Sequence, residues 1–176
     1  MKRLGLPSGG ILQMSYTVPD IDEAVANYVE RLGVGPWYVR GPLQPAGQVF
    51  RGAPSPLTIS IAIAFSGTLM LELIHQQDDT PSVYLETIKR QGHGFHHWGI
   101  VSENFEHDVE SYQAAGYEPV YTTLTPANSR VAYFDTTDKL PGMIEMLELT
   151  EAQDARLAGM RDAASGWDGA DPIRRT

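Results

Sequence analysis

The chain has 176 residues, 42 % of them hydrophobic and 20 % charged, with a formal net charge of −9. These values fit a globular protein of about one domain, and the acidic balance argues against nucleic-acid binding, which needs a basic face. There is no cysteine, which removes disulfides, thiolate nucleophiles and zinc–thiolate sites and agrees with a reducing, cytoplasmic setting.

The N-terminal stretch Met1 to Gly10 has basic residues but lacks the apolar segment of a secretory signal. Ile11 to Val18 reads as a short strand stopped by Pro19, and Asp20 is placed to cap a helix. Ile21, Ala24, Val25, Tyr28, Val29 and Leu32 recur at helical spacing, which predicts that helix over Ile21 to Leu32, closed by Gly33. Trp37 to Val39 is strand-like. Gly41 to Pro56 is rich in Gly and Pro and reads as a loop around a short strand at Gln48 to Phe50. Thr58 to Phe65 and Thr68 to Ile74, separated by Ser66-Gly67, carry a hairpin signature. The longest apolar run, Ile59 to Phe65, is far too short to cross a bilayer as a helix.

A connecting helix is predicted from Pro81 to Arg90, with Thr80 as N-cap and Pro81 at the first helical position. Next come a strand (Phe95 to Ser102), a helix (Phe105 to Ala115) capped by Asn104, and strands around Pro119 to Leu124, Arg130 to Asp135 and Met143 to Leu149. Thr150 and Gln153 resemble a capping box, so a helix is predicted from Glu151 to about Ala164, with Ser165 to Thr176 as an irregular tail.

This order repeats. Gln13 and His97 take the same place in two copies of one plan, 84 residues apart, and Asp20 and Asn104 are again 84 apart. An internal repeat decides architecture before any side chain is read for chemistry. The expected fold class is α+β: two tandem βαβββ modules forming a cup-shaped mixed sheet, with a C-terminal helix. Module one spans about 10–78, a linker helix 80–91, module two about 93–149, and the helix and tail 150–176, all within a single domain 1–176.

Period-2 alternation puts Gln13 on one face with Ile11, Ser15 and Thr17, and His97 on one face with Phe95 and Gly99. Single carboxylates, Glu72 and Glu145, interrupt apolar strands at matching places in the two copies. A carboxylate in a buried strand is costly unless it is paired or binds a metal. If the copies pair by pseudo-symmetry, Gln13, Glu72, His97 and Glu145 converge. That set of three oxygens and one imidazole suits a divalent ion such as Zn, Ni, Co, Mn or Mg. The bland reading of each residue alone is a polar strand-edge Gln, a hydrogen-bonded core His, and Glu residues paired with buried arginine.

Four pieces in order resemble the vicinal oxygen chelate superfamily, which includes glyoxalase I, methylmalonyl-CoA epimerase, extradiol dioxygenases and bleomycin-resistance proteins. They are Gln13 ahead of Val18-Pro19-Asp20, Leu71-Glu72-Leu73-Ile74, Phe95-His96-His97-Trp98-Gly99-Ile100 and Ile144-Glu145-Met146. The resemblance covers residues 11 to 149. It implies that Gln13, Glu72, His97 and Glu145 are the metal ligands and that Glu145 or Glu72 is the general base. It further implies a metal-dependent isomerase, epimerase or lyase acting beside a polarised carbonyl of an acyl thioester or an oxo or hydroxy acid, and a homodimer. A binding protein that sequesters a small molecule without turnover is the alternative, and an extradiol dioxygenase the third reading, which Gln13 disfavours. Glyoxalase I holds glutathione partly through an arginine on the first strand, where this chain has Ser15-Tyr16-Thr17.

Other residues receive structural expectations. Alternation sends His96 to the face opposite His97. Arg130 is placed to meet an anionic group or, more simply, to form a salt bridge at the rim, and Glu148 is assigned to the rim. His75, His93 and His107 are expected at solvated positions, and Trp37, Tyr38, Phe65 and Trp98 in the core or a pocket wall. The apolar Ala155, Leu157, Ala158 and Met160 of the last helix need a surface to cover.

Overall fold

In the computed structural model, which describes residues 4–176, the first half runs β1 (Ile11–Thr17), α1 (Ile21–Leu32), β2 (Trp37–Leu43), β3 (Val49–Phe50), β4 (Ala53–Pro54), β5 (Ile59–Ser66) and β6 (Leu69–Gln76). A connecting helix, α2 (Val83–Gln91), leads to β7 (Gly94–Ser102), α3 (Phe105–Ala114), β8 (Pro119–Leu124), β9 (Arg130–Phe134) and β10 (Met143–Glu148). The chain then forms α4 (Glu151–Ala164) and β11 (Ile173–Arg175). Residues 1–3, on which part of the signal-peptide expectation rests, lie outside the described residues.

The strands that open the two halves lie side by side at the middle of the sheet, β1 antiparallel to β7. Outward from that pair the order is β6, β5, β2 on one side and β10, β9, β8 on the other. The two halves mirror each other strand for strand, and the fold is the expected α+β type with one mixed sheet. Registers repeat as well: Ser15 pairs with Glu72 as Gly99 pairs with Glu145. Gln13 and His97 therefore stand in equivalent positions, each two residues before the member of that pair on its own strand.

The sheet's two faces are filled differently. On the outer face α1 packs its buried Ile21 and Val25 with Trp37, Ala62, Leu71 and Leu73, while Phe105 and Val109 of α3 pack with Ile100, Phe134, Ile144 and Met146. The inner face gathers Ile59, Ile63, Met70, Tyr133, Met143 and Leu147, and α4 packs Leu157, Ala158 and Met160 into the same cluster. The apolar stripe of α4 is thus covered by its own chain.

Local chemistry explains the element ends. Asp20 accepts from the Glu23 N–H at 2.8 Å and Gly33, at φ 63°, closes α1 with its N–H on Tyr28 and Val29 carbonyls. Gly67, at φ 61°, makes the β5–β6 turn. Thr150 accepts from the Gln153 N–H and starts α4 as expected.

Several expectations change. The cap of α2 is Ser82, not Thr80, because Asp78 draws the Thr80 N–H into a local turn and the Thr80 carbonyl accepts from Gln76. Asn104 precedes α3 but makes no side-chain cap bond. The Gly41 to Pro56 loop holds a two-stranded ribbon, β3 with β4, whose β3 edge pairs with β8 of the other half. The tail is not wholly irregular: β11 adds a parallel strand to the free edge of β2. Among the described residues no helix is long and apolar enough to cross a membrane.

Candidate functional site

Four strands bring the predicted residues together. Gln13 comes from β1, Glu72 from β6, His97 from β7 and Glu145 from β10, all on the inner face and all at most 8 % exposed. The Gln13 amide donates to Glu72 Oε2 at 2.6 Å and approaches His97 Nε2 at 3.0 Å. His97 Nε2 lies 3.3 Å from Glu145 Oε2 and 3.6 Å from Glu72 Oε2. Ligand atoms of Glu72, His97 and Glu145 all fall within 4.8 Å of one another, close enough to hold a metal ion.

The hydrogen bonds fix the imidazole tautomers. His96 Nε2 sits 3.2 Å from the Val83 carbonyl, which can only accept, so that nitrogen carries the proton. His96 Nδ1 is then an acceptor, 2.8 Å from His97 Nδ1, which must donate. His97 Nε2 is left with a bare lone pair turned toward Gln13 and the carboxylates. Burial, with His97 alongside, drives the pKa of His96 down to about 3, so it stays neutral and keeps this role.

The placement of His96 departs from simple alternation. The β1–β7 register slips between the pairs Ser15–His97 and Tyr16–Phe95, a bulge that inserts one residue in β7. His96 therefore packs beside His97 and against Tyr84, with ring centroids 5.0 Å apart, rather than on the outer face. The expected structural or supporting role survives while the expected face does not.

Around the quartet lie groups that the residue pattern did not single out. Ser15 donates to Glu72 Oε2 at 2.9 Å. Tyr133 donates to Glu145 Oε1 at 3.1 Å, and because that hydroxyl gives its proton to a carboxylate, its oxygen accepts from Tyr84, also 3.1 Å away. Burial, followed by the nearby charge of Glu145, raises Tyr133 well above its ordinary pKa, and it remains a donor. The signal for Tyr133 was present: it alternates in phase with Val131 on the strand that faces Glu145.

Glu72 is raised to about 7, first by burial and then by the facing Glu145, with His97 and Ser15 opposing. No Lys or Arg forms an ion pair with Glu72 or Glu145 among the described residues, so the paired-arginine reading of these carboxylates does not hold. Two buried carboxylates and an imidazole lone pair converge with only the Gln13 amide, the Ser15 hydroxyl and the Tyr133 hydroxyl as donors. A cation fits such a centre.

Gln13, Glu72 and Glu145, with His97 buried behind them, form the floor of a cavity of about 430 Å³ whose walls include Leu43, Ile61, Ile63, Val131 and Leu147, with Tyr38, Arg40 and the α4 residues Gln153, Arg156 and Leu157 also lining it. The remaining expectations sort simply. Arg130 is held by Glu148 at 2.6 Å and by Glu106, and lies over the Phe105 ring, so the rim salt bridge is what the structure contains. His93 and His107 are exposed and His75 is half-buried at the end of β6. Trp37 and Phe65 are core, Trp98 is half-buried on the outer face, and Tyr38 is a cavity wall.

Residues 12–134 match the family model described as the Glyoxalase/Bleomycin resistance protein/Dioxygenase superfamily. The hypothetical protein BH1468 from Bacillus halodurans C-125 has a similar structure, with TM-score 0.62 and 17 % identity over 80 % of this chain and 94 % of that one. Methylmalonyl-CoA epimerase from Mycobacterium tuberculosis matches at TM-score 0.59 and 18 % identity, covering 83 % and 91 %. A Streptomyces coelicolor methylmalonyl-CoA epimerase in complex with 2-nitronate-propionyl-CoA matches at TM-score 0.57 and 14 % identity, covering 81 % and 95 %. No curated protein sequence matches the chain. With the matched stretch covering more than half of its length and the mirrored βαβββ halves in place, the chain belongs to the glyoxalase/bleomycin resistance/dioxygenase superfamily.

Proposed function

We propose that this protein is a metal-dependent isomerase or epimerase, or a lyase of the glyoxalase kind, that moves a proton on the carbon beside a substrate carbonyl. The observation that carries the reading is the buried, acceptor-rich cluster of Glu72, His97 and Glu145 beside Gln13, with both carboxylates lining a largely apolar cavity. Glu72, His97 and Glu145 would hold one divalent ion, of the Zn, Ni, Co, Mn or Mg class, and Gln13 would join them through Oε1 with its amide turned over, residues 1–176 acting as a single domain. Bound there, the ion supplies Lewis acidity that polarises a carbonyl and acidifies the neighbouring C–H.

The chain's own groups do the proton transfer. Glu145 is the base: Tyr133 holds Oε1, and Oε2, the oxygen turned toward His97 Nε2, would give up its place as a ligand to take a proton from the substrate carbon. Glu72, across the cluster from Glu145, would return a proton to the opposite face of the planar carbon, which inverts its configuration. The apolar walls keep bulk water from the enolate. Ser15 and Gln13 orient Glu72, and His96 keeps the His97 lone pair aimed inward.

The test is deuterium wash-in. A panel of acyl thioesters and 2-oxo acids is incubated with metal-loaded protein in deuterated water and followed by proton NMR. Loss of the C–H signal next to one carbonyl, abolished in Glu145→Gln, supports the reading. No exchange on any panel member, with tight binding of one of them to metal-free protein, favours a sequestering protein instead. The homodimer expected from the superfamily would have to use a face other than the stripe of α4, which is already buried.

A further inference from the structure

Arginines in this acidic chain are mostly committed. Arg51 pairs with Glu86, Arg130 with Glu148, Arg161 with Asp162 and Arg175 with Asp22. Arg40 and Arg156 are different. Each is half-buried, each lines the quartet's cavity, and neither has a carboxylate or other hydrogen-bond partner among the described residues. They come from separate elements, β2 and α4, and converge where the cavity meets a more open groove that both also line.

Two guanidinium groups at one cavity mouth repel each other, and with no hydrogen-bonded carboxylate between them a further negative group would be favoured there. Arg156 feels this: burial and then the neighbouring Arg40 charge lower its pKa, with the Glu72 charge opposing in part. A third group is also uncommitted. Gln153, one turn before Arg156 and only 3 % exposed, lines the same cavity, and its side-chain oxygen, an acceptor with no hydrogen-bond partner among the described residues, suits an O–H or N–H of a ligand and not its anionic head. Between these groups and the quartet the walls are aliphatic, including Ile59, Ile61, Leu147 and Leu157.

We propose that Arg40 and Arg156 form an oxyanion subsite at the cavity mouth, so that the ligand is a small amphipathic acid. Its carboxylate or phosphate head sits on the two arginines, its apolar body fills the cavity, and its reacting carbonyl faces the quartet. Planar guanidinium groups suit such heads because they offer paired N–H donors. This names the substrate class for the function proposed above and rests on that reading for the carbonyl end alone. The head-group assignment stands on the arginines.

Octanoate and 1-octanol, which share a chain and differ in the head, are titrated calorimetrically into metal-free full-length protein. Octyl phosphate is the third probe. Octanoate or octyl phosphate should bind at least about tenfold tighter than octanol, weaken with added salt, and lose that advantage in Arg40→Met and Arg156→Met. Octanol binding should persist in both variants, which shows the cavity intact. The tighter of the two anions identifies the head, and either one supports the subsite. Equal binding of octanol and both anions, no binding of either anion, or anion binding unchanged in the arginine variants overturns it. The comparison is made in metal-free protein and reads binding alone, so failure of the proton-transfer reading leaves this result untouched.

Discussion

His96 Nδ1 lies 2.8 Å from His97 Nδ1, two adjacent residues of one strand hydrogen-bonded to each other through a bulge. The contact ties the Val83 carbonyl to the lone pair at the centre of the site. Replacing His96 by Phe keeps the packing against Tyr84 and removes its hydrogen bonds to His97 Nδ1 and to the Val83 carbonyl. Metal affinity is expected to fall about 10- to 100-fold, as for other outer partners of ligating histidines. Isothermal titration with Zn or Ni against the variant checks this, and unchanged affinity would remove His96 from the account.

Gly99 holds Gln13 by having no side chain. A Cβ at Gly99 would sit 2.7 Å from the Gln13 Cβ and 3.0 Å from its Oε1, on a neighbouring strand that cannot move aside cheaply. Gly99→Ala should therefore cost about 1–3 kcal/mol of stability, the usual range for overpacking, and weaken metal binding by displacing Gln13. Urea unfolding and metal titration measure the two effects. A stable variant that binds metal normally would show that Gln13 is not where the chemistry needs it.

Much of this site was legible from the residues. Gln13 and His97 were found because a repeat made them equivalent, and Glu72 and Glu145 because a carboxylate inside an apolar strand needs a reason. The period of two located their common face. It failed at His96 because a bulge is set by backbone pairing across β1 and β7, which no single strand encodes. The strand at Ile173–Arg175 escaped because three residues with one hydrophobe carry no pattern, and their pairing comes from the free edge of β2. Arg40 and Arg156 are 116 positions apart, and only the docking of α4 over the cup makes them neighbours of one cavity.

Glu72 gives the metal-free protein a pH dependence of definite sign. Its carboxyl is raised from 4.5 to about 7 in the folded chain, so folding favours the protonated form. That contribution is complete below 4.5 and is lost as pH rises through about 7. The urea midpoint of metal-free protein should fall between about pH 5 and about pH 8, and Glu72→Gln should flatten the fall. Parallel profiles for the two proteins would contradict the assignment. Because protons compete for the same oxygen, metal affinity should also weaken as pH drops below about 7.

Tyr133→Phe removes the donor to Glu145 Oε1 and leaves Tyr84 without its acceptor. Metal content should be unchanged while deuterium wash-in slows by about tenfold or more, the scale of one lost hydrogen bond to a charged group. An unaffected exchange rate would place the working oxygen of Glu145 elsewhere.

Everything proposed for the proton transfer depends on the quartet holding an ion. Elemental analysis of protein purified without chelators or a histidine tag, beside a His97→Ala, Glu145→Ala double variant, measures that. About one divalent ion per chain in the wild type, lost in the variant, is the predicted result. No ion in the wild type, even after incubation with Zn, Ni, Co, Mn and Mg, would contradict the central claim and leave a ligand-binding cavity in its place.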